Sequence, residues 1–274
     1  MKDLYSYIIE KHNFANNGDE FYTKEKDIRK VLDEYNFKDK IVYCNCDNPS
    51  FSNFWKVFHD DFNKLGLKKL MATYYGDEPY LYEFDGKDIK KTKIESGRFQ
   101  DNEKFMKQCD IVVTNPPYSN DMPIELANML LKNEVDFMFV GPLHLAIKKE
   151  FFPLLKNGQI QAMKQSINSF ERPDGSNKTA ASCWWTNLDI KKEEYKLTKE
   201  YNEKEYPKYD NYDAINCDKC ELIPKDYKGK IGVPYRFITH LNNDEFELID
   251  YKKLKVNGIA KDTRLIIQKK GTTS

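Results

Sequence analysis

The stretch Asp110-Ile111-Val112-Val113-Thr114-Asn115-Pro116-Pro117-Tyr118-Ser119 decides the fold of this chain. Ile111 to Thr114 are four β-branched residues in a row, a pattern typical of a strand buried on both faces of a parallel sheet. The strand must end at Pro116 and Pro117, because proline has no N–H for a sheet ladder and fixes an extended turn. Open α/β sheets bind ligands at the carboxyl ends of central strands, so the stretch predicts a rigid platform at such a site.

Asn115, Pro116 and Tyr118 on this platform suit the chemistry of a planar amino group. The Asn115 side-chain oxygen and the Pro116 carbonyl oxygen are two acceptors at fixed spacing that can take both amino hydrogens. The nitrogen lone pair then turns out of the ring plane, toward an electrophile. Tyr118 offers a ring face for stacking, worth about 1–3 kcal/mol per base. The arrangement suits methylation of a base flipped out of a duplex. The alternative is a turn that merely ends a strand, since short motifs match by chance.

Length and composition indicate a folded protein with a large core. The chain has 274 residues, of which 40% are hydrophobic and 14% aromatic, so it can form one α/β domain with a small addition or two domains. No apolar run approaches about 20 residues, and Met1-Lys2-Asp3-Leu4 lacks the apolar core of a signal peptide. We therefore expect a soluble, cytoplasmic protein without membrane partners.

The charge distribution gives a mild indication of where phosphates bind. The formal net charge is zero, but residues 1–140 carry 20 Lys and Arg against 25 Asp and Glu. Residues 141–274 carry 24 against 19, so the second half is expected to face phosphates. Scattered surface charge is the competing explanation.

The six cysteines allow two interpretations. The pairs Cys44/Cys46 and Cys217/Cys220 have the spacing of a four-thiolate zinc site. Reduced thiols are the favoured interpretation, because Cys44 and Cys46 fall at the end of a predicted buried strand and a cytosolic protein keeps its thiols reduced. We therefore predict no metal site.

Strands and helices alternate along the first part of the chain, which predicts a doubly wound, mostly parallel sheet. The predicted strands are 40–44, 67–74, 79–84, 111–114 and 136–141, and the predicted helices are 3–12, 24–35, 51–65, 102–109, 123–131 and 149–156. Residues 85–98 and 165–182 are expected to be loops, and 182–188 a strand. Residues 189–213 are rich in lysine and tyrosine and predict either a base-stacking surface or a solvated, partly helical connector. Short strands are predicted at 246–250 and 264–268.

Two further stretches carry candidate ligand-binding residues. Phe21 and Tyr22 precede Thr23, a predicted helix N-cap, and this aromatic pair either walls a ligand pocket or forms a hydrophobic staple. Asp47 follows the strand at 40–44, where a carboxylate can bind an ammonium or hydroxyl group or act as an ordinary turn residue. The usual Gly-x-Gly turn is absent there.

Several stretches together resemble the EcoRI-type adenine-specific DNA methyltransferases, over nearly the whole chain after about residue 15. The matching stretches are DEFYT at 19–23, YCNCDNPSFSNFWKVF at 43–58, GRF at 97–99, DIVVTNPPYS at 110–119, FMFVGPLHLAIKKEFFPLL at 137–155, CWWTNLD at 183–189, YPKYDNYDAIN at 206–216 and GVPYRF at 232–237. The combination is far more specific than any single motif.

The resemblance implies roles for individual residues. Phe21, Tyr22 and Thr23 stand at motif X and are expected to line the pocket for S-adenosylmethionine, which favours the pocket over the staple. Cys46 and Asp47 stand at motif I and are expected to hold the methionine end of the cofactor, with Phe99 packing on its adenine. The resemblance makes Asn115, Pro116, Pro117 and Tyr118 motif IV, which receives the target adenine, with Asn115 also next to the cofactor.

The chain departs from the wider class of amino-methyltransferases in places. Motif I has no glycine pair, and the second strand ends at Tyr74-Tyr75 where an acidic residue could grip ribose hydroxyls, with Asp77 further on. The ribose contact is therefore left unassigned. Gly141-Pro142 replaces the Gly-Asn of EcoRI-type chains, so a local difference is expected in that loop.

The fold class predicted is α/β, a doubly wound Rossmann-like methyltransferase sheet with a smaller C-terminal target-recognition region. Residues 1–160 would form the catalytic core that binds S-adenosylmethionine, and residues 161–274 the DNA-binding region, with strands that complete the core. The expected partner is double-stranded DNA, modified at the adenine amino group by a monomer, with any cognate restriction endonuclease acting separately. The alternatives are methylation of RNA or a protein glutamine on the same platform, and a non-catalytic DNA-binding relative.

Overall fold

A computed structural model of the chain describes residues 22–74, 79–172, 175–190, 192 and 194–271. They form two compact units. One unit contains the described residues up to Pro142 together with Gln165–Leu188, and the other contains Leu143–Lys164 and the described residues from Asp189 on. The helix predicted at 3–12 lies outside the described residues. No described helix has the length and apolar character that a membrane crossing requires.

An eight-stranded sheet dominates the first unit. Its strands stand in the order β4-β3-β2-β1-β5-β6-β8-β7. Their bounds are β1 Ile41–Cys44, β2 Lys69–Ala72, β3 Tyr80–Phe84, β4 Ile89–Lys93, β5 Ile111–Thr114, β6 Asp136–Pro142, β7 Gln161–Glu171 and β8 Asn177–Thr186. The prediction of an α/β fold built on a large central sheet is confirmed.

The centre of this sheet is parallel, as predicted. β1 pairs in parallel with β2 on one side and β5 on the other, so that Val42 lies opposite both Leu70 and Ile111. β5 pairs in parallel with β6, and all four β5 residues are buried. The strand order reverses between β1 and β5, which makes the gap between their carboxyl ends the topological switch point of the sheet.

The helix predicted at 123–131 is confirmed and extends by one residue at each end, whereas the other described helices are shorter than the sequence pattern predicts. The helix bounds are α1 Glu25–Arg29, α2 Asn53–Asp60, α3 Phe62–Leu65, α4 Glu103–Met106, α5 Met122–Lys132 and α6 Phe152–Lys156. The helix predicted at 24–35 ends at Arg29 and continues as a separate 3-10 turn at Leu32–Glu34. The helix predicted at 51–65 is divided at Asp61 into α2 and α3, and Gly66 ends α3 with a left-handed φ of 66°.

The capping of α2 links helix formation to the loop after β1. Ser52 is the N-cap, and its hydroxyl oxygen accepts hydrogen bonds from the backbone N–H groups of Phe54 and Trp55 at 3.1 and 3.4 Å. Phe54, Trp55 and Phe58 are buried on the inner face of α2, as the aromatic spacing predicts.

The loop predicted at 85–98 is wrong, because β4 occupies its middle. β4 pairs antiparallel with β3 around an Asp85-Gly86 turn in which Gly86 has a φ of 94°. Asp85 accepts hydrogen bonds from the backbone N–H groups of Lys87 and Asp88. The Asp-Gly pair is a hairpin signal, but β4 is an exposed edge strand without the apolar alternation that identifies strands in a sequence.

The loop predicted at 165–182 is also wrong. β7 and β8 are long strands that fill most of it, and β8 pairs antiparallel with β6 over residues 182–186. The strand predicted at 182–188 is only the buried end of β8, whose first five residues are exposed or half-buried. A strand with a solvated half needs no apolar residues there, so its Ser, Asn and Thr content resembles a loop.

The second unit contains a five-stranded sheet in the order β12-β15-β11-β10-β9 and a two-stranded hairpin β13-β14. The bounds are β9 Lys208–Tyr209, β10 Tyr212–Asn216, β11 Lys230–Pro234, β12 Phe246–Lys252, β13 Lys255–Val256, β14 Ile259–Ala260 and β15 Arg264–Lys269. The strands predicted at 246–250 and 264–268 are confirmed. The described residues between 189 and 207 contain no helix, so the partly helical connector is not found there.

The contact pattern and the predicted domain boundary divide the chain differently. The sequence puts the boundary between residues 160 and 161, whereas by contacts 143–164 group with the second unit and 165–188 with the first. β8 and the part of β7 from Gln165 on belong to the first unit. The functional roles assigned to the two regions stay predictions.

Candidate active site

Asn115 to Tyr118 follow directly from the buried end of β5. Pro116 is buried, whereas Asn115, Pro117 and Tyr118 are partly accessible. The Asn115 side-chain oxygen is itself buried. β5 lies between β1 and β6, so the predicted platform stands at the carboxyl end of a central strand beside the switch point.

Tyr118 contacts β7 and the buried end of β8. Its hydroxyl lies 3.4 Å from the hydroxyl oxygen of Ser182 in β8, and its ring meets the edge of Phe170 in β7 at 6.4 Å between centroids. Burial raises the pKa of the Tyr118 hydroxyl well above its usual value, so the phenol stays neutral. Gly141-Pro142, expected in a loop, instead continues β6, where Pro142 pairs with Ser182.

The Asp47 carboxylate joins the loop after β1 to the end of β5. One oxygen accepts a hydrogen bond from the Ser52 hydroxyl at 2.7 Å, and the other accepts one from the Thr114 hydroxyl at 2.7 Å. The backbone N–H of Asn115 also donates to this carboxylate. Asp47 is only 6% exposed, and burial raises the pKa of its carboxyl to about 6. The residue is thus a buried junction, which excludes the ordinary turn role.

Cys46 lies beside the same junction. Its thiol is hydrogen-bonded to Thr114, but burial, with a smaller contribution from Asp47, raises the pKa of the thiol far above its usual value. A thiol that stays neutral is not a nucleophile at physiological pH. No group of three or more His, Cys, Asp or Glu residues in the described part of the chain could hold a metal ion.

Tyr22 contacts β7, the outermost strand at one edge of the sheet, and Thr23 contacts the start of α2. Phe21 lies outside the described residues. Tyr22 exchanges two backbone hydrogen bonds with Glu171 of β7, at 2.7 and 2.9 Å, and its ring lies 5.4 Å from that of Phe51. The Thr23 carbonyl accepts from the Asn53 side chain at 2.9 Å. Thr23 is not the N-cap of α1, which begins after Lys24, so the predicted capping role is wrong.

Phe99 is completely buried at the start of a 3-10 helix, Phe99–Asn102, that precedes α4. The Asn102 side chain holds this turn by donating to the carbonyls of Ser96 and Arg98, both at 2.8 Å. Gln100 donates to Glu125 of α5 at 2.7 Å. The turn therefore packs on α4 and α5, and its hydrogen bonds do not run to the loop after β1.

Three buried polar groups lie in these segments, and two of them, Asn45 and Ser50, were missed from the sequence. The side-chain amide of Asn45 and the hydroxyls of Thr23 and Ser50 are inaccessible to solvent and have no hydrogen-bond partner among the described residues. Leaving a buried polar group unpaired costs about 1–3 kcal/mol, so such groups favour a polar ligand. For Asn45 and Ser50 the only sequence signal is their position just after a buried strand.

The parallel sheet and the Asn-Pro-Pro-Tyr platform at its switch point define the class, a Rossmann-like amino-methyltransferase. Comparison with known proteins identifies the family. The model of the family described as "Adenine-specific methyltransferase EcoRI" matches residues 10–93 and 82–274, and the chain belongs to this family. It is therefore an adenine-specific DNA methyltransferase.

Individual relatives agree with the family assignment. The chain is 35% identical to "Type II methyltransferase M.EcoRI" of Escherichia coli, over 92% of this chain and 94% of that one. It is also 35% identical to "Type II methyltransferase M.MpnI" of Mycoplasma pneumoniae, over 85% and 82%. A solved structure from Pyrococcus horikoshii matches 69% of this chain and 98% of that one, with 11% identity and a TM-score of 0.34, which is too weak for any argument.

Proposed function

We propose that this enzyme transfers the methyl group of S-adenosylmethionine to the exocyclic amino group of an adenine flipped out of double-stranded DNA. The observation that carries the proposal is the position of Asn115 to Tyr118, directly after buried β5 at the switch point. The family membership supports the adenine target, and the platform supports the way in which the amino group is held.

The residues of the platform would act by orienting the amino group. The Asn115 side-chain oxygen and the Pro116 carbonyl would accept its two hydrogens, and the Tyr118 ring would stack on the base. S-adenosylmethionine, when bound, supplies an electrophilic methyl group on a sulfonium. Catalysis by these side chains is then positioning together with hydrogen bonding to an amino group that becomes positively charged. Neither a nucleophilic side chain nor a metal ion is needed.

The buried polar groups support a cofactor site beside the platform. S-adenosylmethionine carries an ammonium, a carboxylate and ribose hydroxyls. We propose that Thr23, Asn45 and Ser50 hydrogen-bond to such groups, since their side chains lack partners among the described residues. Tyr22, Cys46 and Asp47 belong to the same segments, and with Phe21 and Phe99 they complete the proposed set. The ring pair Tyr22–Phe51 would form an apolar side of this pocket.

The second unit is proposed to contact the DNA backbone. It contains a cavity of about 380 Å³ that is lined by Lys148, Lys252 and Lys253 together with His144 and Tyr251. Replacing Lys253 by alanine is expected to weaken DNA binding and to reduce the salt dependence of the affinity by about one counterion. We further propose that the enzyme is cytoplasmic and that any cognate endonuclease is a separate protein. We also propose that the enzyme is a monomer, which sedimentation of the purified chain would test.

A tritium-transfer assay tests the proposed function directly. Duplex DNA, RNA and protein are offered side by side with tritiated S-adenosylmethionine, and label is expected in adenine of the duplex alone. Asn115→Ala should abolish transfer, whereas Asn128→Ala, which removes an exposed amide on α5, should not. Label in RNA or in protein glutamine would indicate another substrate, and failure to bind S-adenosylmethionine by calorimetry would indicate a non-catalytic relative.

A further inference from the structure

Backbone pairing does not hold the platform to the loop after β1. The register between β1 and β5 joins Val42 to Ile111 and Tyr43 to Val112, and it stops there. Beyond it, Thr114 pairs only with Phe139 of β6 on the other side. At a topological switch point the two loops leave from neighbouring strands toward different parts of the sheet, so a crevice opens between them. Side chains make the hydrogen bonds that cross it.

The Asp47 carboxylate makes two of these hydrogen bonds, and the Cys46 thiol makes one to Thr114. The Asp47 carboxylate accepts hydrogen bonds from the hydroxyl of Thr114, the last residue of β5, and from the backbone N–H of Asn115, the first residue of the platform. The other oxygen of the Asp47 carboxylate accepts a hydrogen bond from the hydroxyl of Ser52, the N-cap residue of α2. The platform is therefore tied through one carboxylate to the start of a helix on the far side of the crevice.

The stability of the fold does not explain a carboxylate at this position. Desolvation raises the pKa of the Asp47 carboxyl to about 6, although its hydrogen bonds from Thr114, Ser52 and Asn115 lower it. Its ionised form thus remains disfavoured after all its hydrogen bonds are made. Burying a charge whose desolvation is not fully compensated lowers the stability of the fold. A group kept at a cost to stability points to function.

We propose that Asp47 is a positioning residue for methyl transfer, which fixes the backbone of Asn115 and with it the two acceptors that orient the amino group. This inference rests on the proposed function. It differs from the expectation that Asp47 only holds the methionine end of the cofactor. A cofactor ligand acts on affinity, whereas a positioning residue acts on the rate when both substrates are saturating.

The first test compares Asp47→Asn with Asp110→Asn. Asp110 also joins β5 to β1, by accepting from the Ile41 backbone N–H at 2.8 Å, but it lies at the opposite, amino-terminal end of β5. In single turnover at saturating S-adenosylmethionine and DNA, Asp47→Asn should be slower by on the order of 100-fold, as expected for a reactant displaced by about 1 Å. Asp110→Asn should stay within about threefold of the unaltered rate. Because both substrates are saturating, a weaker affinity of Asp47→Asn for S-adenosylmethionine does not lower this rate.

An effect of Asp47→Asn on cofactor affinity without an effect on the saturated rate would overturn the inference. If Asp47→Asn weakens S-adenosylmethionine binding while its saturated rate is unchanged, Asp47 is a cofactor ligand alone. Thr114→Val provides a second variant, because it removes the hydroxyl that donates a hydrogen bond to Asp47. The double variant should be no slower than Asp47→Asn alone, since both changes break one link, and multiplying effects would contradict the proposed coupling.

A readout on the unliganded chain separates this inference from the proposed function. Hydrogen exchange of the Asn115 amide, followed by NMR, should be at least about tenfold faster in Asp47→Asn than in the unaltered chain, and unchanged in Asp110→Asn. Unchanged exchange at Asn115 would overturn the positioning role even in an active enzyme. Faster exchange in a chain that methylates no DNA would leave the link standing and remove the proposed function.

Discussion

The Tyr118 hydroxyl lies 3.4 Å from the Ser182 hydroxyl, although the two residues are 64 positions apart. Ser182 is fully buried in β8, next to the strand β6 that neighbours β5. Two strands that have no catalytic motif of their own, β7 and β8, therefore hold the aromatic ring of the platform, through Phe170 and Ser182.

This contact predicts different effects for two changes at Tyr118. Tyr118→Phe keeps the ring and loses one long hydrogen bond, so methyl transfer to DNA should fall by less than about tenfold. Tyr118→Ala removes the stacking surface, worth about 1–3 kcal/mol, and should lower kcat/KM by about 10- to 100-fold. Ser182→Ala is the matched control and should resemble Tyr118→Phe. Equal losses for Tyr118→Phe and Tyr118→Ala would contradict a stacking role.

Thr23 and Thr73 form a second pair of contrasting substitutions. The buried Thr23 hydroxyl has no partner among the described residues, so Thr23→Val should leave the unliganded protein at least as stable. Its affinity for S-adenosylmethionine should fall by about three- to tenfold, the loss of one hydrogen bond. Calorimetry measures the affinity, and urea denaturation measures the free energy of unfolding.

Thr73→Val should show the reverse result. The Thr73 hydroxyl lies 2.7 Å from that of Tyr43 and 3.1 Å from the Asn45 carbonyl, and the residue is completely buried. Removing it leaves two buried groups unpaired and should lower the free energy of unfolding by about 1–3 kcal/mol. If Thr23→Val proved equally destabilising with unaltered cofactor affinity, the proposed cofactor contact at Thr23 would be wrong.

The Asp47 carboxyl predicts a pH dependence of stability. Burial raises its pKa from an ordinary value of 3.8 to about 6, so the folded state binds this proton more tightly than the unfolded state. The stability that the protonated group contributes is complete below pH 3.8 and is lost as the pH rises through 6. The difference between 3.8 and about 6 corresponds to about 3 kcal/mol.

Asp47→Asn isolates this contribution from those of the other carboxyl groups. The free energy of unfolding of the variant, relative to the unaltered chain, should rise between about pH 4 and pH 6 and level off above that. Chemical denaturation at several pH values measures it. A difference that does not vary with pH would show that Asp47 titrates normally. The expected pairing of a stabler fold with slower methyl transfer would match a residue retained for activity.

Gly232 predicts a steric effect inside the second unit. A Cβ atom at this position would clash with the Tyr209 hydroxyl oxygen, and that hydroxyl is held at 2.8 Å from the Asn216 side-chain oxygen. Gly232→Ala should therefore lower the free energy of unfolding by about 1–3 kcal/mol, the usual cost of overpacking. Gly271→Ala is the control, because a Cβ there meets nothing within 4 Å. Equal stability of the two variants in urea would contradict this packing.

The sequence alone determined the parts of this protein that depend on local pattern. Four β-branched residues before two prolines specified buried β5 and the platform, because both signals are contained in ten consecutive residues. The aromatic spacing of α2 specified its buried face. Gly66 specified the residue at which α3 ends. The resemblance of many short stretches specified the family, since their combination is rare by chance.

Tertiary structure decided what joins those parts. No local signal pairs Asp47 with Thr114, because the two residues are 67 positions apart and meet only through the order of strands in the sheet. β4, most of β7 and the exposed first half of β8 were misread as loops for a related reason. An edge strand, or one with a solvated half, draws its stability from hydrogen bonds to a neighbouring strand, and its own residues need not be apolar.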